Sequence, residues 1–236
     1  MKLVLKDIEK SYGDKQVLKK ASFTFEKGKI YGLLGRNGAG KTTLFNCISG
    51  ETKYENGSVS IIYDGQLAKE IDYSKVGYVF ADPVIPEFLT GYEFLKFYID
   101  INKDKIENLL TIDEYFDIIK IKDEDRYRLM KGYSHGMKNK MQMVCLLITR
   151  PAVILLDEPL TSFDVVVALE IKNLLKEMKS EHIIIFSTHI LQLATDLCDE
   201  ILVLNNCILE EVDSEVLKSP EFEDKIMEIL KEGGND

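Results

Sequence analysis

Residues 30–43 read Ile30-Tyr31-Gly32-Leu33-Leu34-Gly35-Arg36-Asn37-Gly38-Ala39-Gly40-Lys41-Thr42-Thr43. The apolar beginning predicts a buried strand. The remainder fits the pattern G-x-x-x-x-G-K-[ST], whose glycines let successive backbone N–H groups point inward at a phosphate. A helix beginning near Gly40 would add the partial positive charge of its N-terminus. We therefore predict a nucleotide-phosphate site made of Gly35, Asn37, Gly38, Ala39, Gly40, Lys41, Thr42 and Thr43.

Two side chains of this loop carry specific predictions. Lys41 would reach the β- and γ-phosphates, and the Thr42 hydroxyl would bind Mg²⁺. The structural alternative is a glycine turn beside a surface lysine. The strand before the loop and the helix after it favour the phosphate site.

The residues before position 80 alternate in the manner of antiparallel strands. Tyr12-Gly13-Asp14 predicts a turn between the first two strands. Asn56-Gly57 and Asp64-Gly65 predict hairpin turns on either side of Val59–Tyr63. This pattern predicts an antiparallel β subdomain beside the strand that enters the phosphate loop.

Strand signals vanish between residues 82 and 150 and return after Pro151. Thr90 and Glu93 form a capping-box pattern at the start of one helix in this interval. Parallel strands need helical crossovers, so the pattern predicts an α/β fold interrupted by a helical insertion. The predicted divisions of this single domain are a core at about 1–81 and 151–212, a helical subdomain at about 82–150, and a helical tail at 213–236.

The charge balance of the chain limits the kinds of partner that it can bind directly. The 236 residues include 30 Lys and Arg against 40 Asp and Glu, which gives a formal charge of −10 at pH 7. Nucleic-acid surfaces and attachment to anionic lipid both need clustered Lys and Arg, so this balance argues against both. No apolar run approaches the roughly 20 residues that a membrane-spanning helix needs. The four cysteines show no CxxC spacing and are interpreted as reduced, buried thiols.

A second chemical signal is Val153-Ile154-Leu155-Leu156-Asp157-Glu158. A buried strand that ends in a carboxylate places Asp157 at the edge of the sheet where α/β proteins bind ligands. Asp157 would hold Mg²⁺, and Glu158 would polarise the attacking water as a general base. Helix N-capping is the other common use of such acidic residues.

Tyr133-Ser134-His135-Gly136-Met137 lies between these two motifs. With it, nearly the whole chain resembles the ATP-binding subunit of ABC transporters, whose signature segment is usually written LSGGQ. Only the serine and the second glycine match that form, although Tyr-Ser-x-Gly-Met versions are familiar among exporters with separate membrane subunits. The resemblance implies a P-loop NTPase fold, in which Ser134 and Gly136 bind the γ-phosphate of ATP held by the opposite subunit.

Three further residues take roles from the resemblance. Tyr12 matches the aromatic residue that stacks on adenine, and His189 matches the switch histidine that contacts the γ-phosphate. Asp164 matches an aspartate at the dimer interface, and it is equally suited to cap the helix that follows.

One position departs from the family pattern. The family has a glutamine after the Tyr78-Val79 strand, where it touches Mg²⁺ and transmits the nucleotide state to the membrane partner. Here the segment reads Val79-Phe80-Ala81-Asp82-Pro83, so Ala81 stands at that position. Alanine cannot coordinate a metal. Either Asp82 substitutes, which is our hypothesis, or one more water binds Mg²⁺.

The resemblance thus implies an ATPase that uses ATP and Mg²⁺, forms a homo- or heterodimer, and powers export through a separate transmembrane permease. The chain would lie at the cytoplasmic face of the cell membrane and reach the membrane only through that permease, without binding nucleic acid. Two alternatives are an ABC ATPase that acts on a protein or nucleic-acid complex, and a nucleotide-dependent switch.

Overall fold

The computed structural model describes residues 1–64, 69–106, 108–159, 165–217, 219 and 221–231. The strands within these residues are β1 (Lys2–Tyr12), β2 (Lys15–Glu26), β3 (Ile30–Leu34), β4 (Asn56–Ile62), β5 (Lys69–Glu70), β6 (Val76–Val79), β7 (Val153–Asp157), β8 (Ile183–Thr188), β9 (Glu200–Asn205) and β10 (Ile208–Val212). The α-helices are α1 (Lys41–Ser49), α2 (Gly91–Asn102), α3 (Ile112–Ile118), α4 (Asp123–Arg126), α5 (His135–Thr149), α6 (Val165–Met178), α7 (Leu191–Leu197), α8 (Ser214–Leu217) and α9 (Phe222–Lys231). Short 3₁₀ helices span Tyr73–Lys75, Lys103–Lys105 and Met130–Gly132.

The described strands form two sheets. One is antiparallel, with the order β2-β1-β4-β5. The other has the order β10-β9-β3-β8-β7-β6, and its strands are parallel except for β10, which runs antiparallel to β9. The parallel strands are joined by helical crossovers, as this connectivity requires. The predicted α/β class is confirmed.

The larger sheet is buried on both faces, which explains its nearly continuous apolar strands. In β7, Val153 and Leu155 face α1 and the antiparallel sheet, whereas Ile154 and Leu156 face α5 and α6. β8 alternates in the same way, because successive side chains of a strand point to opposite faces. Parallel strands buried in this manner bring their C-terminal ends to one edge of the sheet.

Helices occupy the interval that the sequence assigns to an insertion. The described residues between Gly91 and Thr149 include four α-helices, α2 to α5. Of these, α2, α3 and α5 share a core that includes Leu95, Phe116 and Met141. The predicted capping box is present, with Thr90 and Glu93 bonded reciprocally at the start of α2. The division into core, helical subdomain and tail stays a prediction. Helix α5 packs both against the larger sheet and against the other helices of this interval.

The hairpin turn predicted at Asn56-Gly57 is wrong. Both residues lie inside β4, beside an irregularity in its pairing with β1. Gly57 has a φ of +99°, and a Cβ there would stand 2.4 Å from the carbonyl oxygens of Lys6 and Asp7. The glycine therefore permits a close approach of two backbones at a bulge, which is the other common reason for a glycine within a strand pattern. In the second predicted turn, Gly65 lies outside the described residues.

No helix in the described ranges is both long enough and apolar enough to cross a membrane.

Candidate functional site

The glycine loop leaves the C-terminal end of β3 and turns into α1, as predicted. Two of its glycines are required by close approaches. A Cβ on Gly35 would lie 2.8 Å from the carbonyl oxygen of Leu204, and one on Gly40 would lie 2.7 Å from Cγ1 of Val17. Gly40 also has a φ of +108°, a backbone conformation that other residues rarely adopt. The loop is thus held against β9 and β2 with the N-terminus of α1 open.

Lys41 is the first residue of α1, and its side chain folds back into the loop. The Nζ atom donates to the carbonyl oxygens of Gly35 at 2.8 Å and Arg36 at 3.3 Å. Burial lowers the pKa of Lys41, and the carboxylates of Glu158 and Asp157 oppose that shift. A partly desolvated ammonium group at a helix N-terminus is well suited to a polyanionic ligand.

Asp157 ends β7 with its carboxylate 2% exposed, where it accepts two hydroxyl hydrogen bonds. Thr42 Oγ1 donates to Oδ2 at 2.6 Å, and Ser187 Oγ donates to Oδ1 at 2.5 Å. The Tyr78 hydroxyl lies 3.5 Å from Oδ2. Burial, followed by the charge of Asp157, raises the pKa of Tyr78, so the phenol remains a neutral donor.

These oxygens fit Mg²⁺. A hydroxyl and a carboxylate that already lie 2.6 Å apart are the hard oxygen ligands this cation takes, and Mg²⁺ is usually bound by one or two protein groups together with substrate phosphates. Across the described part of the chain there is no cluster of three or more His, Cys, Asp or Glu residues that would hold a metal without such phosphates.

Glu158 follows Asp157 in a left-handed backbone conformation, with a φ of +49°. Its N–H donates to Ser187 Oγ at 3.0 Å. Its carboxylate Oε1 lies 3.8 Å from Lys41 Nζ, and its Oε2 lies 3.2 Å from Nδ1 of His189, directly after β8. Non-glycine residues with positive φ are concentrated at functional sites, where the surrounding contacts maintain the conformation.

A cleft of about 370 Å³ lies over these groups. It is lined by Tyr12, Lys15, Val17, Asn37, Gly38, Gly40, Lys41, Thr42, Thr43, Ala81, Asp157 and Glu158. The fold thus brings most of the predicted phosphate, metal and catalytic residues to one place. It also brings the Tyr12 ring, which is half exposed and has Lys10 Nζ 5.1 Å from its centroid.

Other predicted residues lie elsewhere. Ser134 caps α5, accepting from the N–H of Met137 at 3.2 Å, and neither Ser134 nor Gly136 lines the cleft. Asp82 is exposed and outside the cleft lining, so its role in metal binding stays a prediction. Asp164 lies outside the described residues.

Sequence reasoning missed three residues at or beside the site. Ser187 gives one sign of its role, since it is a polar residue near the end of an otherwise apolar strand. Lys15 lines the cleft from β2, opposite the phosphate loop. Gln142 lies inside α5 and bonds to the backbone of Phe80, a pairing that has no local sequence signal.

The family described as ABC transporter matches residues 18–161, more than half of the chain. Among curated relatives, the uncharacterised ABC transporter ATP-binding protein YdbJ of Bacillus subtilis is 31% identical over 207 residues, which cover 86% of this chain and 66% of that protein. The lantibiotic transport ATP-binding protein SrtF of Streptococcus pyogenes is 30% identical over 201 residues, which cover 84% of this chain and 84% of that protein.

Two solved structures share the fold. An ATP-binding subunit of an ABC transporter superposes with a TM-score of 0.81 at 23% identity, covering 97% of this chain and 99% of that chain. The ATP-binding cassette MJ0796, solved as a dimer in a post-hydrolysis state with ADP and phosphate, gives a TM-score of 0.74 at 21% identity, covering 89% of this chain and 99% of that chain.

Ser187→Ala tests the hydroxyl that joins Asp157 to Glu158. The variant leaves a buried carboxylate oxygen and the Glu158 N–H without this partner, a loss of about 1–3 kcal/mol. We expect kcat for nucleotide hydrolysis to fall at least tenfold while nucleotide affinity changes less than about threefold. Ser49→Ala, in the last turn of α1, is the control. Equal kcat in the two variants would contradict this assignment.

Proposed function

The chain belongs to the ABC transporter family as an ATP-binding ATPase subunit, and we propose that two such subunits close around ATP to power export through a separate transmembrane permease. The observation that carries the proposal is the contiguous set Lys41, Thr42, Asp157, Glu158 and His189, joined by hydrogen bonds and short contacts around one cleft.

The site residues predicted from the sequence have the following proposed roles. Tyr12 stacks on the adenine, and the loop residues Gly35, Asn37, Gly38, Ala39, Gly40 and Thr43 surround the phosphates with backbone N–H groups and side chains. Lys41 exchanges its bonds to the loop carbonyls for bonds to the β- and γ-phosphates. Thr42 and Asp157 hold Mg²⁺, which when bound neutralises charge on the phosphate oxygens.

Hydrolysis then follows from the position of Glu158. A carboxylate oxygen of Glu158 accepts a proton from the attacking water while the water oxygen bonds to the γ-phosphorus. The bond between the γ-phosphorus and the bridging oxygen breaks, and that oxygen leaves with ADP. His189, 3.2 Å from the same carboxylate, orients it and contacts the γ-phosphate. Ser187 keeps Glu158 and Asp157 in fixed relation, so that base and metal ligand act on one phosphate.

The position of Ser134 supports a dimer. Ser134 is exposed at the N-terminus of a 15-residue helix and outside the cleft of its own chain. In the dimer that we propose, Ser134 and Gly136 of one subunit complete the cleft of the other, with Asp164 near the shared interface. The dimeric state of the MJ0796 cassette supports the same arrangement. The proposed arrangement is the same for a homodimer and for a heterodimer with a related ATPase subunit.

A groove beside the cleft is the proposed permease contact. It has a volume of about 470 Å³ and runs between β6, α2 and α5, where Phe80, Val84 and Phe94 are among its apolar lining residues. Val84 is 72% exposed, and the neighbouring Phe88 is 78% exposed. We propose that a cytoplasmic segment of the permease occupies this groove, which places the chain at the cytoplasmic face of the membrane.

The name of the SrtF relative supports amphiphilic peptides as a cargo class. Selection among cargoes would belong to the permease, because the cleft and groove of this chain serve nucleotide and partner.

Glu158→Gln is the central test. The amide cannot accept the water proton, so we expect steady-state hydrolysis to fall at least 100-fold while ATP binding persists and an ATP-bound dimer accumulates. Phosphate release and sedimentation velocity with Mg²⁺·ATP measure the two effects. Glu210→Gln on β10 is the control. Near-normal turnover in Glu158→Gln would reject the general base, and no turnover in the unsubstituted chain would favour a nucleotide switch.

Asp82→Ala tests the proposed metal role of Asp82. Because Asp82 lies outside the cleft, that role requires the Ala81 segment to move when nucleotide binds. We then expect the Mg²⁺ concentration for half-maximal hydrolysis to rise about 10- to 100-fold, the usual effect of losing one outer contact to a bound metal. Asp104→Ala, on a neighbouring exposed turn, is the control. If Asp82→Ala left the Mg²⁺ concentration for half-maximal hydrolysis unchanged, Asp82 would have no role in metal binding. One more water would then occupy the ligand position on Mg²⁺.

Val84→Asp tests the groove. A carboxylate introduced into an apolar contact is costly to desolvate, so we expect at least a tenfold loss of copurification with a coexpressed transmembrane permease that copurifies with the unsubstituted chain. ATP hydrolysis by the isolated chain should stay within twofold. Met227→Asp, on the distant helix α9, controls for added charge. Undiminished copurification of Val84→Asp would place the permease elsewhere.

A further inference from the structure

Gln142 forms a two-point clamp on the backbone of Phe80. Its Oε1 accepts from Phe80 N at 3.3 Å, and its Nε2 donates to Phe80 O at 3.2 Å and to Asn139 Oδ1 at 3.2 Å. Gln142 is buried, with 7% of its surface exposed. β6 pairs with β7 only as far as Val79, so the amide supplies Phe80 with the partners that a neighbouring strand would otherwise provide.

A close packing contact fixes the same helix to the same strand. A Cβ on Gly77 would lie 2.4 Å from Cδ2 of Leu146 and 2.5 Å from Cγ of Pro151. Helix α5 therefore contacts β6 at Gly77 and also contacts Phe80, the residue that follows β6. Packing at Gly77 needs only apolar atoms, whereas the contact at Phe80 buries an amide whose hydrogen bonds are directional.

The clamp lies between two parts of the proposed site. Ala81, the next residue after Phe80, lines the nucleotide cleft. Ser134 caps the N-terminal end of α5, and Gln142 lies in the middle of that helix. Eight residues of α-helix separate Ser134 from Gln142, about 12 Å at 1.5 Å per residue. A displacement of Phe80 would therefore reach Ser134 through one rigid helix.

We propose that Gln142 is a positioning residue that links the nucleotide cleft to the signature end of α5. The inference rests on the proposed function. Nucleotide binding moves Ala81 and Phe80, and the two amide hydrogen bonds carry that movement into α5. A hydrophobic residue of similar size would fill the same space without this directional link.

The test uses the absence of tryptophan from the sequence. His135→Trp places one indole at the exposed start of α5, and Glu158→Gln prevents turnover; this doubly substituted chain is the parent. Indole fluorescence is titrated with Mg²⁺·ATP over a wide range of protein concentration. A change caused by dimerisation varies with that concentration, whereas the change transmitted within one chain does not.

Gln142→Leu and Met143→Leu are then compared in this parent. We expect Gln142→Leu to reduce the concentration-independent fluorescence change at least fivefold and to leave the Kd for ATP within about twofold, because the phosphate loop is untouched. Met143→Leu, a packing change at the adjacent buried position, should preserve both. The unfolding midpoint of each variant is measured to match their folded fractions.

Three results would overturn the inference: no concentration-independent change in a parent that binds ATP, a full change in Gln142→Leu, or an equal loss in Met143→Leu. The last would assign the link to packing alone. A parent that does not bind ATP would instead reject the proposed function, and this is seen before Gln142 is altered.

Discussion

The buried carboxylate of Asp157 is the constraint on which the site depends. A carboxylate that is 2% exposed is tolerated only where hydrogen bonds or a cation replace the lost water. Thr42 and Ser187 supply two of those bonds, and each comes from a different element. Satisfying this one charge therefore ties α1, β7 and β8 together at the edge where the two strands end and the helix begins.

The same bonds position the charged groups around Glu158. Ser187 contacts Asp157 through its hydroxyl proton and receives the N–H of Glu158 on its oxygen, so Glu158 is directed toward the cleft in a strained conformation. Lys41 in α1 and His189 directly after β8 then contact the two oxygens of the Glu158 carboxylate. The geometry of the cleft is thus a consequence of how the sheet edge satisfies its buried polar groups.

The acidity of the chain is compatible with binding a polyanion. A formal charge of −10 acts over the whole surface and is screened by salt within about 10 Å at 0.1 M ionic strength. The cleft instead offers the N–H groups of a helix N-terminus and one buried ammonium, whose effects are local and poorly screened. Net charge therefore bears on extended surfaces, and the cleft is governed by its own few groups.

Local patterns were sufficient for much of the molecule. The phosphate loop, the helix that follows it, the capped start of α2 and the strand that ends in Asp157 were all predicted because their causes lie within a few neighbouring residues. Asn56-Gly57 was mispredicted because a turn and a bulge use the same glycine chemistry, and only the facing strand β1 distinguishes them.

Sequence by itself determined the chemical groups that are available here: a glycine-rich loop with Lys41 and Thr42, a strand that ends in Asp157 and Glu158, and the segment that includes Ser134, each encoded in a short run. Tertiary structure alone decided that Ser187 joins Asp157 to Glu158 and that Gln142 holds Phe80. The physical reason is that these contacts join positions 29 to 62 residues apart, through strand register and helix packing that no local pattern contains.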